Sequence, residues 1–61
     1  MHETRKVEIM SFIEGYVKAV VKYVGGTEEQ AFPAAIKAAK ETYTTKIIYR
    51  SALAEVLEML K

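Results

Sequence analysis

Few side chains in this sequence could perform catalysis. His2 is the only histidine, and the 61 residues contain no cysteine. Hydrolytic and acid–base enzymes need a nucleophile or base beside a group that orients it, most often histidine with serine, cysteine or a carboxylate. Because His2 lies at a chain end, where order is usually poor, it cannot anchor such a pair. We therefore expect a protein that is not an enzyme.

Two pairs of carboxylates have spacings that could bring them to one metal ion. Glu28 and Glu29 are neighbours, and Glu55 and Glu58 are three residues apart on a predicted helix. Two carboxylates alone are too few for a divalent cation. One histidine and no cysteine cannot form a zinc or haem ligand set. The sequence therefore predicts neither a metal ion nor another cofactor.

Basic and aromatic side chains are interleaved between residues 37 and 50, a combination that can bind nucleic acid. The four cations are Lys37, Lys40, Lys46 and Arg50. On a continuous helix the first two point away from the last two, so a single patch would need a break in the helix or a dimer. The formal net charge of +1 adds no broad positive surface. A small nucleic-acid-binding transcriptional regulator is the alternative function.

The elements that position these residues begin with an amphipathic helix over residues 4–24. Its apolar residues recur at steps of three and four, as in a helix with one buried face; they include Met10, Ile13, Val17, Val20 and Val24. Gly25 and Gly26 then predict the helix end, since glycine adopts the left-handed cap conformation without steric cost. Gly15, on the polar face, indicates either a tolerant surface position or the close crossing of another backbone.

A second helix is predicted from the sequence that follows the glycines. Thr27 and Gln30 have the spacing of a capping box, in which each side chain satisfies a backbone N–H of the other residue. Pro33 lacks the N–H that a helix interior requires. We expect a kink there, or a short opening turn followed by a restart.

Three structures are compatible with residues 33–60. A single long helix would carry a seam of small residues that admits a close neighbour. Alternatively, two elements meet near Thr44 and Thr45, and Ser51 caps the last helix. Alternation of β-favouring residues over residues 5–9 and 43–49 gives the third possibility, an α+β fold with short strands there.

The length and composition favour self-association. A chain of 61 residues has little interior, yet 51% of its residues are hydrophobic, and it has no disulfide to help. We expect one all-α domain over residues 1–61, with residues 1–3 disordered. Its fold would be a helical hairpin or three-helix unit that assembles as a homodimeric helical bundle. The predicted interface consists of Ile9, Ile13, Tyr16, Val17, Val20, Tyr49, Leu53, Val56 and Leu60.

These features together predict a non-enzymatic helical module for protein–protein interaction or regulation. Its partners would be a second copy of the chain and, as a further option, another protein. No segment reaches the roughly 18 apolar residues of a membrane span, and the first residues lack the apolar region of a secretory signal. We therefore expect a cytoplasmic protein without a membrane partner.

Overall fold

The structure is a computed structural model that describes residues 2–60, with the side chains of residues 4–60. Within this range the chain forms α1 (His2–Tyr23), α2 (Glu28–Tyr43), a 3₁₀-helix (Ile47–Tyr49) and α3 (Arg50–Met59). All regular elements of residues 2–60 are therefore helical, which confirms the all-α prediction. The disorder predicted for residues 1–3 concerns Met1, which lies outside the described residues, and residues 2–3, whose backbone begins α1.

The α+β alternative is wrong. Residues 5–9 lie inside α1, and residues 43–49 comprise the end of α2, a turn and the 3₁₀-helix. Ile9 and Ile13, one helical turn apart, are both buried. Both side chains thus lie on the buried face of α1, where residues four apart share one side of the helix.

The turn between α1 and α2 has the predicted construction. Gly25 and Gly26 have φ angles of 99° and 92°, which glycine adopts readily. The Gln30 N–H donates to the Thr27 hydroxyl, and the Thr27 N–H donates to the Gln30 side-chain oxygen, both over 3.2 Å. This capping box confirms the predicted start of α2.

Pro33 does not restart α2, which is continuous from Glu28 to Tyr43. Without an N–H, Pro33 leaves the carbonyl of Glu29 without its usual helical donor. Both residues are exposed, so water can satisfy that carbonyl.

Residues 33–60 form two elements rather than one long helix. Beyond Tyr43, the Thr45 hydroxyl donates to the Thr42 carbonyl over 3.3 Å and satisfies one acceptor that the helix end leaves open. The Tyr49 N–H then donates to the Lys46 carbonyl over 3.0 Å, which closes the 3₁₀ turn. Ser51 lies inside α3 and does not cap it, because Tyr49 occupies the cap position without a side-chain hydrogen bond.

The three helices share one core, in which α1 packs against both α2 and α3. The core side of α2 carries Ala31, Ala35 and Ala39, each at most 3% exposed, followed by the buried Tyr43 at its end. The small alanine side chains allow its backbone to approach α1 closely. Larger side chains from the other helices fill the remaining space: Ile9, Ile13, Val17, Leu53 and Val56. No backbone of the described residues crosses closely at Gly15, since a Cβ placed there meets nothing within 4 Å.

Candidate interaction surfaces

Most of the predicted dimer interface lies in the core of the single chain. Ile9 and Val56 are fully buried, and Ile13, Val17 and Leu53 are 3–8% exposed. These five side chains are covered because α1 packs against both α2 and α3. A partner could reach at most the edges of Ile13 and Val17, which border an open groove.

The other four predicted interface residues lie at the edge of the core. Val20, Tyr49 and Leu60 are half-buried and pack against the core residues. Tyr16 is 38% exposed, and its ring stacks on Phe12 with 6.1 Å between the ring centres.

Larger exposed apolar side chains occur where the sequence did not predict an interface. Ile47 and Ile48, in the 3₁₀-helix, are 80% and 61% exposed, and Val24, at the end of α1, is 82% exposed. Helical periodicity extended through Thr44 and Thr45 would place Ile47 on the buried stripe of α2. The break in the helix removes Ile47 from that stripe. Its exposure could therefore have been predicted from the sequence only by predicting the break.

The 3₁₀-helix is attached to α1 by an aromatic and carboxylate cluster. The Tyr49 hydroxyl donates to Glu8 over 2.5 Å, and its ring centre lies 4.9 Å from that of Tyr43. The Tyr43 ring in turn contacts Phe12 edge to face, with 5.5 Å between centres. This cluster fixes the position of the chain between α2 and α3.

The same cluster changes the acidity of two phenols. The hydrogen bond to Glu8 is the main cause that raises the pKa of Tyr49, and burial and the Glu8 charge add to it. Burial is the main cause that raises the pKa of Tyr43, followed by the charge of Glu8. Both side chains are therefore neutral at physiological pH, and the Tyr49 hydroxyl donates to Glu8 as a structural contact.

Cations border the exposed isoleucines on both sides. Lys46 lies 5.8 Å from the ring centres of both Tyr43 and Tyr49, and Arg50 is exposed at the start of α3. Residues 46–50, called here the isoleucine segment, therefore present two aliphatic side chains between two positive charges.

An open groove lies between α1 and the first turns of α2. Its volume is about 470 Å³, and it is lined by Ile13, Glu14, Val17, Lys18, Glu28, Glu29 and Phe32. Apolar side chains form its floor, and three carboxylates and one ammonium group stand at its rim, so its net charge is negative. We call this site the α1–α2 groove.

The four cations of the predicted nucleic-acid surface occupy different settings. Lys40 lines a second cavity, of about 380 Å³, between α2 and α3, together with the carboxylate of Glu58. Lys46 lies over two tyrosine rings, whereas Lys37 and Arg50 are exposed on α2 and α3. The break in the helix thus does not place the four on one helical face.

Among the side chains of residues 4–60, no three of His, Cys, Asp or Glu are placed to hold a metal ion together. None of the described helices combines the length and apolar character needed to cross a membrane.

No protein-family model matches this chain, and it matches neither a curated protein nor a solved structure.

Proposed function

We propose that this protein is a non-enzymatic helical interaction module that acts as a homo-oligomer. The observation that carries the proposal is the exposed pair Ile47 and Ile48, which are 80% and 61% exposed in a segment held firmly against α1. Single exposed apolar residues are common and need no explanation. Two adjacent exposed isoleucines on a fixed support offer a partner more apolar surface than a single exposed residue does.

The composition of the core supports the same proposal. The core formed by the described residues consists of ten buried side chains, and neither Ile47 nor Ile48 belongs to it. Both isoleucines lie in the 3₁₀-helix between α2 and α3, outside this core. Covering them in a second subunit would remove their apolar surface from water, which is favourable by about 25 cal/mol per Å².

A nucleic-acid-binding function has less support. Of its four candidate cations only Lys46 and Arg50 share one segment, whereas Lys37 is exposed on α2 and Lys40 lines a cavity with Glu58. A phosphate backbone is bound best by cations that are grouped without carboxylates between them. We therefore retain self-association as the proposed function.

The proposal is tested by thermal unfolding at several protein concentrations. An oligomer dissociates as it unfolds, so its midpoint temperature rises with total concentration. We expect circular dichroism melts to shift upward over a concentration range of about a hundredfold. Midpoints that coincide at every concentration would contradict the proposal.

A further inference from the structure

We infer that the α1–α2 groove of one copy of this chain binds the isoleucine segment of a second copy. This inference rests on the proposed self-association and adds the two surfaces that meet. Ile47 and Ile48 would lie on the floor formed by Ile13, Val17 and Phe32. The contact is specified by shape, by apolar character and by charge.

The charges of the two surfaces are opposite. The groove has Glu14, Glu28 and Glu29 at its rim, against the single cation Lys18. The isoleucine segment has Lys46 and Arg50 and no carboxylate within residues 46–50. Apolar residues at the centre with complementary charges around them form the usual arrangement of a specific protein interface.

The groove also has a suitable size and position. Its volume of about 470 Å³ lies in the range of pockets that enclose drug-sized molecules, so two isoleucine side chains can enter it. No residue of α3 lines it. Ile36, one turn beyond Phe32 on α2, instead lines the cavity shared with α3. The α1–α2 groove is thus the part of the α2 surface that α3 leaves uncovered.

The isoleucine segment and the α1–α2 groove lie at different positions along α1, so the segment does not occupy the groove of its own chain. We infer that each surface is covered by a second copy. The isoleucine segment is attached at Glu8 through Tyr49, whereas the groove begins at Ile13 and extends to Lys18. At a rise of about 1.5 Å per residue, their centres are about 11 Å apart along the helix. In a two-fold dimer that brings one segment to the other copy's groove, symmetry forms the same contact twice.

The apolar part of the inference is tested by sedimentation equilibrium of two matched variants. Ile47→Ser and Val24→Ser each replace a branched aliphatic residue that is at least 80% exposed, so neither should disturb the core. Only Ile47 belongs to the inferred contact. We expect Ile47→Ser to weaken dimerisation about a hundredfold, because the contact occurs twice, and Val24→Ser to leave it within about twofold.

The charge pattern is tested by exchanging the signs of the two surfaces. One variant carries Glu14→Lys and Glu29→Lys in the groove, and the other carries Lys46→Glu and Arg50→Glu in the segment. Each variant alone would bring like charges together at both contacts and remain monomeric. Mixed in equal amounts they form two attractive contacts, so we expect a heterodimer to appear. Circular dichroism of each variant checks that its helix content is unchanged.

The outcomes separate this inference from the proposed function. Dimerisation that survives Ile47→Ser, or that is not restored in the mixture of folded charge variants, overturns the inferred contact while self-association stands. A wild-type chain that remains monomeric overturns both. If the charge variants do not fold, the comparison of Ile47→Ser with Val24→Ser decides by itself.

Discussion

Glu8 connects α1 to the start of α3, because its carboxylate accepts the hydrogen bond from the Tyr49 hydroxyl. The carboxylate also lies near the Tyr43 ring, whose pKa it raises together with burial. A single residue thus affects the titration of two phenols and the position of the isoleucine segment.

Glu8→Gln should lower the pKa of both phenols. The hydrogen bond to the carboxylate and its charge raise the pKa of Tyr49 above the ordinary value of 10.0, and the charge contributes to the raised pKa of Tyr43. An uncharged amide removes the charge and accepts a weaker hydrogen bond, and both phenols keep the contribution of burial. NMR titration of the individual tyrosine rings measures the change. Glu41→Gln is the control, and equal titration curves in Glu8→Gln and wild type would refute the assignment.

The same shifts give a pH dependence of stability. A raised pKa in the folded state means that the folded chain holds the phenolic proton more tightly than the unfolded chain does. The resulting stabilisation is complete below the unfolded value of 10.0 and is lost as the pH rises through the folded pKa. Urea unfolding on either side of pH 10 should therefore show a steeper loss of stability in wild type than in Glu8→Gln.

Two valines, one buried and one exposed, provide a matched test of which side chains form the core. Val56 is fully buried, whereas Val7 is 61% exposed. Val56→Ala removes two buried methyl groups and should lower the free energy of unfolding by about 2 kcal/mol, a large share of the total for so short a chain. Val7→Ala should change it by less than about 0.5 kcal/mol. Urea denaturation measures both, and equal effects would mean that the core is placed incorrectly.

At the scale of elements, the helix ends follow local chemistry and were predictable. The capping box at Thr27 and Gln30 and the glycine pair before it depend on neighbouring residues alone. The break near Thr44 was one of the predicted alternatives because the apolar residues before and after it fall on different helical stripes. The restart expected at Pro33 was wrong, because the loss of one backbone hydrogen bond at an exposed position does not end the helix, and the sequence does not specify that exposure.

The glycines should respond to alanine with opposite signs. Gly15 is helical and has open space around it, so Gly15→Ala should stabilise the chain by about 0.5–1 kcal/mol. At Gly26, alanine would keep a φ of +92° and place its Cβ 2.7 Å from the Gln30 oxygen that accepts the Thr27 N–H. Gly26→Ala should therefore destabilise by more than about 1 kcal/mol.

Gly25→Ala is the control for this pair. Its φ of +99° imposes the same backbone strain, but nothing lies within 4 Å of the added Cβ. The midpoint temperature of thermal unfolding should be highest for Gly15→Ala, followed by wild type, then Gly25→Ala and last Gly26→Ala. Gly26→Ala as stable as Gly25→Ala would show that the capping box contributes nothing.

At the scale of the whole molecule, the sequence could not distinguish apolar residues of the subunit core from those of an interface between subunits. Ile9, Leu53 and Val56 have the spacing of helix faces that must be buried, and that spacing is the same whether the covering helix belongs to the same chain or to another. In this structure α3 folds back against α1 within the same chain, and this arrangement depends on the turn at residues 44–46. The same turn exposes Ile47 and Ile48, which periodicity could not place.

A subunit measuring 34 × 20 × 16 Å has little surface, so an interface made from the isoleucine segment and the α1–α2 groove is small. Interfaces below about 1,200 Å² are typical of weak complexes. We therefore expect a dimer that forms only at micromolar or higher concentrations and dissociates on dilution.

The central claim is that this chain associates with itself. Sedimentation equilibrium of the wild-type chain between about 10 µM and 1 mM tests it most directly. The account predicts a mass that increases with concentration from the 6.9 kDa of one chain toward twice that value. A mass of 6.9 kDa throughout this range would contradict it.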